Sequence, residues 1–128
     1  MPQAKDLEIG NYLIYKPNGV YCSVTAKDTL ISVEALLFST RCTADDLIGI
    51  KVTPDILSPC GFRQREAIYV KRIPPDTVLT IRYNDRTFAE LIDPTGEMHY
   101  VGLLHQLQNV HFKLTGQPLQ PNIFGLKV

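Results

Sequence analysis

Neither an excess of one charge, nor a long apolar run, nor a catalytic motif marks this chain. Thirteen basic residues are matched by thirteen acidic ones, so no generic attraction draws the protein to nucleic acid or anionic lipid. A partner must then be recognised by shape or by local charge. Apolar runs such as residues 35–38 fall far short of the roughly 20 residues that cross a bilayer. The opening MPQAKDLEIG has no apolar signal-peptide core, and the expected location is the cytoplasm of the producing cell, with no membrane contact. The three cysteines, Cys22, Cys42 and Cys60, are widely spaced and form neither a C-x-x-C pair nor a pattern with histidine, so they read as reduced, packed thiols. G-x-S-x-G, H-E-x-x-H and Gly-rich phosphate loops are all missing. An enzyme is therefore the least expected class, and no cofactor or metal is expected.

What the chain does contain is enough apolar material for one modest core: 128 residues, 45% of them hydrophobic, match the usual size of a single domain. Residues 9–15, 20–25 and 29–33 are short runs rich in β-branched and aromatic side chains, separated by turn chemistry. Asn18-Gly19 is the strongest of those turns, because both residues tolerate the positive φ of a tight hairpin. In residues 20–25, Val20, Cys22 and Val24 alternate with Tyr21, Ser23 and Thr25, which allows one face to be buried. Residues 35–50 are ambiguous between a strand and a turn around Thr43-Ala44-Asp45-Asp46.

Further on, Thr53 is a plausible N-cap, with Pro54 at the first helical position and Asp55 favourably set against the helix dipole. Pro59 and Gly61 limit that helix to a turn or two. A second strand set follows at residues 67–73, 78–83 and 87–92. A two-residue loop at Asn84-Asp85 would pair Ile81 with Phe88 and place Leu79 and Tyr83 on the same side. Asp93-Pro94-Thr95-Gly96 is expected to turn the chain into a C-terminal helix over residues 99–116. There Leu103, Leu107, Val110 and Leu114 form an apolar stripe, and Gly116 followed by Pro118 ends the helix. Residues 117–128 read as an extended tail. The resulting expectation is an α+β single domain: a small antiparallel SH3-like barrel or meander in residues 1–50, a short central helix and β-hairpin region in residues 51–98, and a C-terminal helix packed on the sheet.

IGNYLIY near the start, KVTPDILSPCGF in the middle and HQLQNVHFKLTG at the end resemble a group of small, uncharacterised proteins encoded by bacterial phages and prophages. The positions that carry the resemblance are Ile9-Gly10-Asn11-Tyr12, Cys60-Gly61-Phe62, His105-Gln106-Leu107-Gln108-Asn109 and Leu114-Thr115-Gly116. It spans most of the chain, with one departure at Gly102-Leu103-Leu104, where relatives more often run an aromatic-Val pair directly into the His. The resemblance implies a phage-associated origin and a shared fold, and it supplies no activity.

Two surfaces then compete for function. His105, Gln108, Asn109 and Phe112 recur at helical spacing, and a strip of amides with one aromatic suits contact with a phage or host protein partner, although such residues more often knit a helix onto its sheet. The rival is local charge: Arg63, Arg65, Lys71, Arg72, Arg82 and Arg86 face only three acids between positions 61 and 86. With Tyr69 and Tyr83 nearby, such a window could follow a nucleic-acid backbone and stack bases, or simply be a solvated strand face. His105 and His111 lie about 240° apart around a helix and so cannot share a metal from it. Asp45-Asp46 reads as a solvent-exposed carboxylate pair. Exposed sheet edges leave self-association open.

Overall fold

The computed structural model describes residues 3–84 and 88–123. Over these residues the chain forms an α+β fold of two five-stranded antiparallel sheets and a C-terminal helix. The first sheet contains β1 (Tyr12–Tyr15), β2 (Val20–Lys27), β3 (Ile31–Glu34), β4 (Ser39–Cys42) and β5 (Leu47–Ile48), in the order β4-β3-β2-β1-β5. The ambiguous segment 35–50 thus holds two strands, joined by a 3-10 turn at Ala44–Asp46 whose Asp46 Oδ2 accepts the Thr43 N–H. β1 to β4 form a meander, β5 crosses back to pair with β1, and no backbone pairing joins the two edges β4 and β5 among the described residues.

The alternation in β2 holds at Cys22 and Val24, which are buried, but not at Val20, which is exposed at the start of the strand. The β1–β2 turn differs in detail. Tyr15 pairs with Val20, so the loop has four residues. Gly19 alone takes the left-handed conformation, at φ 69°, while Asn18 uses its Oδ1 to accept the Val20 N–H.

In the middle, α1 (Pro54–Leu57) starts where Thr53 and Pro54 place it and buries Ile56 and Leu57. The second sheet then runs in chain order through β6 (Arg63–Arg65), β7 (Ile68–Ile73), β8 (Thr77–Tyr83), β9 (Ala89–Ile92) and β10 (Met98–Tyr100). β6 has no apolar signal of its own: its three residues are exposed, and pairing with β7 holds it at the edge. The β8–β9 register corrects the two-residue hairpin. Ile81 pairs with Leu91 instead of Phe88, because Asn84 and Phe88 close the loop on each other, Asn84 N–H to the Phe88 carbonyl and Phe88 N–H to Asn84 Oδ1. That three-residue slip exchanges the faces of β9, sending Ala89 and Leu91 inward and leaving Phe88 half exposed.

The C-terminal helix is shorter than residues 99–116: α2 spans Leu104–Thr115, and His99 lies in β10 opposite Leu91. The Asp93–Gly96 turn therefore leads into a strand. Asp93 Oδ1 gathers the N–H groups of Thr95 and Glu97, which closes a β9–β10 hairpin before any helix can begin. The helix starts only after Gly102, where Gln106 Oε1 accepts the Leu103 N–H and the Ile50 carbonyl accepts that of Leu104. Gly116, at φ 72°, ends it with its N–H on the Phe112 carbonyl.

Two hydrophobic cores result. Leu7, Leu13, Cys22, Val33 and Leu47 fill the first, between the N-terminal residues and the first sheet. The second collects Ile56, Leu57, Leu79, Ile81 and Leu91 beneath Leu104 and Leu107 of α2. Alternation along β1 makes it a wall common to both, with Leu13 in the first core and Tyr12 and Ile14 against the second. The tail is not loose over its described part, because Leu119 and Ile123 are buried in the second core. Among the described residues no helix is long and apolar enough to cross a membrane.

Candidate binding surfaces

The helix strip of His105, Gln108, Asn109 and Phe112 is not one continuous surface. His105 and Gln108 are buried, Asn109 is half-buried, and Phe112 alone is exposed, at 57%. The inward side of α2 is centred on Leu104, Leu107, Gln108 and His111, while Leu103, Val110 and Leu114 of the expected stripe are only half-buried. Gln108 and His111 can occupy that side because their polar groups are satisfied. Gln108 Oε1 accepts the Tyr12 N–H at 2.7 Å, and its amide donates to the carbonyls of Gly10, at 2.8 Å, and Leu119. Asn109 Oδ1 accepts from the Asn11 amide at 2.9 Å and its own amide reaches the Asp6 carbonyl. These bonds fasten α2 to the first sheet over 96 to 103 positions of chain, a role that helical spacing alone does not reveal.

His111 is fixed in the same way. Its Nδ1 donates to the Gln117 carbonyl at 2.8 Å, which leaves Nε2 to accept from the Lys71 ammonium at 3.1 Å. Burial lowers the pKa of both groups, in keeping with a neutral imidazole beside a partly desolvated ammonium. His105 is also pushed down by burial, and its Nδ1 is a buried polar atom without a hydrogen-bond partner among the described residues. The thiols of Cys22 and Cys60 are pushed up to about 12 by burial, which suppresses the thiolate; all three cysteines are buried and unbridged.

Beside the fastened helix lies a groove of about 550 Å³, between the turn that precedes β1, the outer edge of α2 and the tail. Gln108 and Asn109 form part of its lining, with their polar groups already committed to the fold. Apolar contact is offered by Ile9, 67% exposed, and Phe112, together with Pro118. Ile9 was outside the candidate set because, in sequence, it reads as the start of a strand.

The basic window divides by strand parity. Lys71 points inward, to His111. Arg63 and Arg65 of β6, Arg72 of β7 and Arg82 of β8 share the outward face with Ile68, Val70, Val78, Thr80 and Ile92, as the register requires. Glu90, the one carboxylate at an outward strand position, accepts from Arg82 Nε at 3.3 Å. Tyr69 and Tyr83 cannot stack bases on this face: they point inward, pack edge-to-face at 6.0 Å, and Tyr83 donates to the Val52 carbonyl. Burial and the neighbouring Tyr69 push Tyr83 up to about 12. The outward aromatic is Tyr100, 66% exposed. Arg86 lies outside the described residues.

One cluster escaped the sequence reading altogether. Asp93, Glu97 and His99 bring ligand-type atoms within 4.8 Å of one another. Both carboxylate oxygens of Asp93 are engaged: Oδ1 by the Thr95 hydroxyl and the turn N–H groups, Oδ2 by His99 Nε2 at 3.0 Å. Those bonds, the Thr95 hydroxyl first and His99 next, hold its carboxyl down at about 2. The arrangement accounts for the hairpin. Asp45 and Asp46 sit in the 3-10 turn, with Asp46 accepting the Thr43 N–H.

Comparison with protein-family models, curated proteins and solved structures found no match.

Proposed function

We propose that the protein is a non-enzymatic binding module that recognises a protein partner through the groove between Ile9 and Phe112. The observation that carries this reading is the contrast within α2. Every polar residue that fastens the helix is spent on internal hydrogen bonds, yet Phe112 is left exposed at the edge of a concave surface opposite an exposed Ile9. Burying two such side chains against a partner gives each roughly 1.5–3 kcal/mol, the scale of an interface anchor. The size of the groove suits a short segment with one or two apolar side chains. A phage or prophage setting, in the cytoplasm of a bacterial host, rests on the motif resemblance.

The test is selection of short linear peptides on the purified protein, followed by mapping of the winners by amide chemical shifts. Enriched peptides should carry an apolar anchor and shift Ile9, Asn109, Phe112 and Leu119. Failure to enrich any peptide, or shifts confined to the second sheet, would remove the groove from consideration.

A further inference from the structure

We infer that the outward face of the second sheet is a second, independent site, which binds single-stranded nucleic acid through its phosphates. The arginines are segregated. The chain has six arginines, and four of them, Arg63, Arg65, Arg72 and Arg82, project from one face of three adjacent strands, although the protein as a whole carries no net charge. Arginine suits phosphate because its planar fork donates two parallel hydrogen bonds and it never deprotonates.

Their spacing follows from strand geometry. Arg63 and Arg65, two residues apart on β6, are separated by about 7 Å along the strand, and β6 lies about 10 Å from β8. The four side chains therefore cover an extended patch, as a polymer of repeated negative charge requires. Two of them, Arg63 and Arg65, also line an open hollow at the β6–β7 end, together with Gln64, Glu66 and Ile68. Among the described residues Arg82 alone faces a carboxylate across the strands, Glu90, while Glu66 sits in the β6–β7 turn beside Arg65 and forms no ion pair with it.

A single strand fits better than a duplex, because the face is a sheet surface and not an element that enters a groove. At its far end Tyr100 exposes a ring on which one base can stack. The core beneath the sheet separates this face from α2, so the site neither needs the Ile9–Phe112 groove nor fails with it.

The experiment is fluorescence anisotropy with labelled dT20 and rU20, a 20-base-pair duplex, and poly-glutamate as competitor. With each single-strand phosphate contact contributing about 0.7 to the salt slope, three to four arginines predict a weakening of about 15- to 50-fold between 50 and 200 mM salt. Arg63→Ala/Arg65→Ala should lower affinity at least tenfold at 50 mM and cut the slope by about 1.4. Lys16→Ala, in the exposed β1–β2 loop, should change neither. Circular dichroism checks folding. If the double variant unfolds, Arg72→Ala carries the test, with a slope smaller by about 0.7.

No binding at 50 mM salt would overturn the inference, as would a slope indifferent to the arginine variants or an equal loss with Lys16→Ala. Displacement by poly-glutamate at equal charge would reassign the face to an acidic protein. Equal affinity for the duplex would refute the preference for a single strand.

Discussion

The two sheets have the same number of strands and the same antiparallel pairing, yet they are covered differently. The first closes its core with its own strands and the nearby Leu7, all from the first 47 residues. The second depends on distant chain: α1 precedes it, while α2, Leu119 and Ile123 follow it. Much of what seats α2 is polar, in the bonds of Gln108 and Asn109 to the turn before β1 and of His111 to Lys71 and Gln117. Local alternation thus specifies the first region, whereas long-range hydrogen bonds fix the second. On the proposed reading the same contrast separates folding from binding on α2, because the residues that seat the helix are buried or half-buried and Phe112 is left outside.

Truncation of each core tests this contrast most severely. Leu13→Ala and Leu107→Ala remove fully buried side chains, and each should cost about 2–5 kcal/mol in urea denaturation. Because β1 is a wall of both cores, each variant should still unfold in one transition; two transitions would show that the regions are separable.

Gln108→Leu should follow, at about 1–3 kcal/mol, because it removes the buried bonds of the side-chain amide to the Tyr12 N–H and the Gly10 carbonyl. A neutral result would mean that water replaces the amide, and that the link between helix and first sheet is weaker than the geometry indicates.

The pH response should localise in the second region. Burial lowers His105 and His111 from the ordinary value of 6.5, so the unfolded chain binds more protons just below that pH. Stability is then complete above pH 6.5 and drains away as the pH falls toward the lowered folded values. A melting temperature that drops between pH 7.5 and 5 checks this. His105→Leu, which removes the unpartnered Nδ1, should flatten the drop without loss of stability at pH 7.5. Asp93 acts at more acid pH. Its carboxyl is held at about 2, below the ordinary 3.8, so its contribution is present above pH 4 and lost as the pH falls through about 2. Asp93→Asn should abolish that part of the acid transition.

Much of the architecture was legible in the sequence. Period-two runs marked β1, β2, β3, β7 and β8, and Thr53-Pro54 marked the start of α1, since these signals are local. β6 and β10 were invisible: Arg63, Gln64 and Arg65 bury nothing, and His99 belongs to a strand only because Asp93 closes the preceding turn. The β8–β9 register depended on Asn84 bonding to Phe88, which turn propensity does not encode. Of the candidate residues, Phe112 and the arginines of β6, β7 and β8 are at the surface, whereas Gln108 and Lys71 turn inward, Gln108 in the way the helix-knitting alternative has it. Whether an amide on a helix faces a partner or the protein's own backbone is decided by residues about a hundred positions away.

The smallest stability effect carries the largest functional claim. Phe112→Ala, measured side by side for urea stability and for affinity to a groove-selected peptide, tests directly whether α2 divides into a folding face and a binding edge. The expected result is stability within about 0.5 kcal/mol of the parent and at least a tenfold loss of affinity. A stability loss on the scale of Leu107→Ala, or unchanged affinity, would contradict it and make Phe112 one more residue that holds the helix in place.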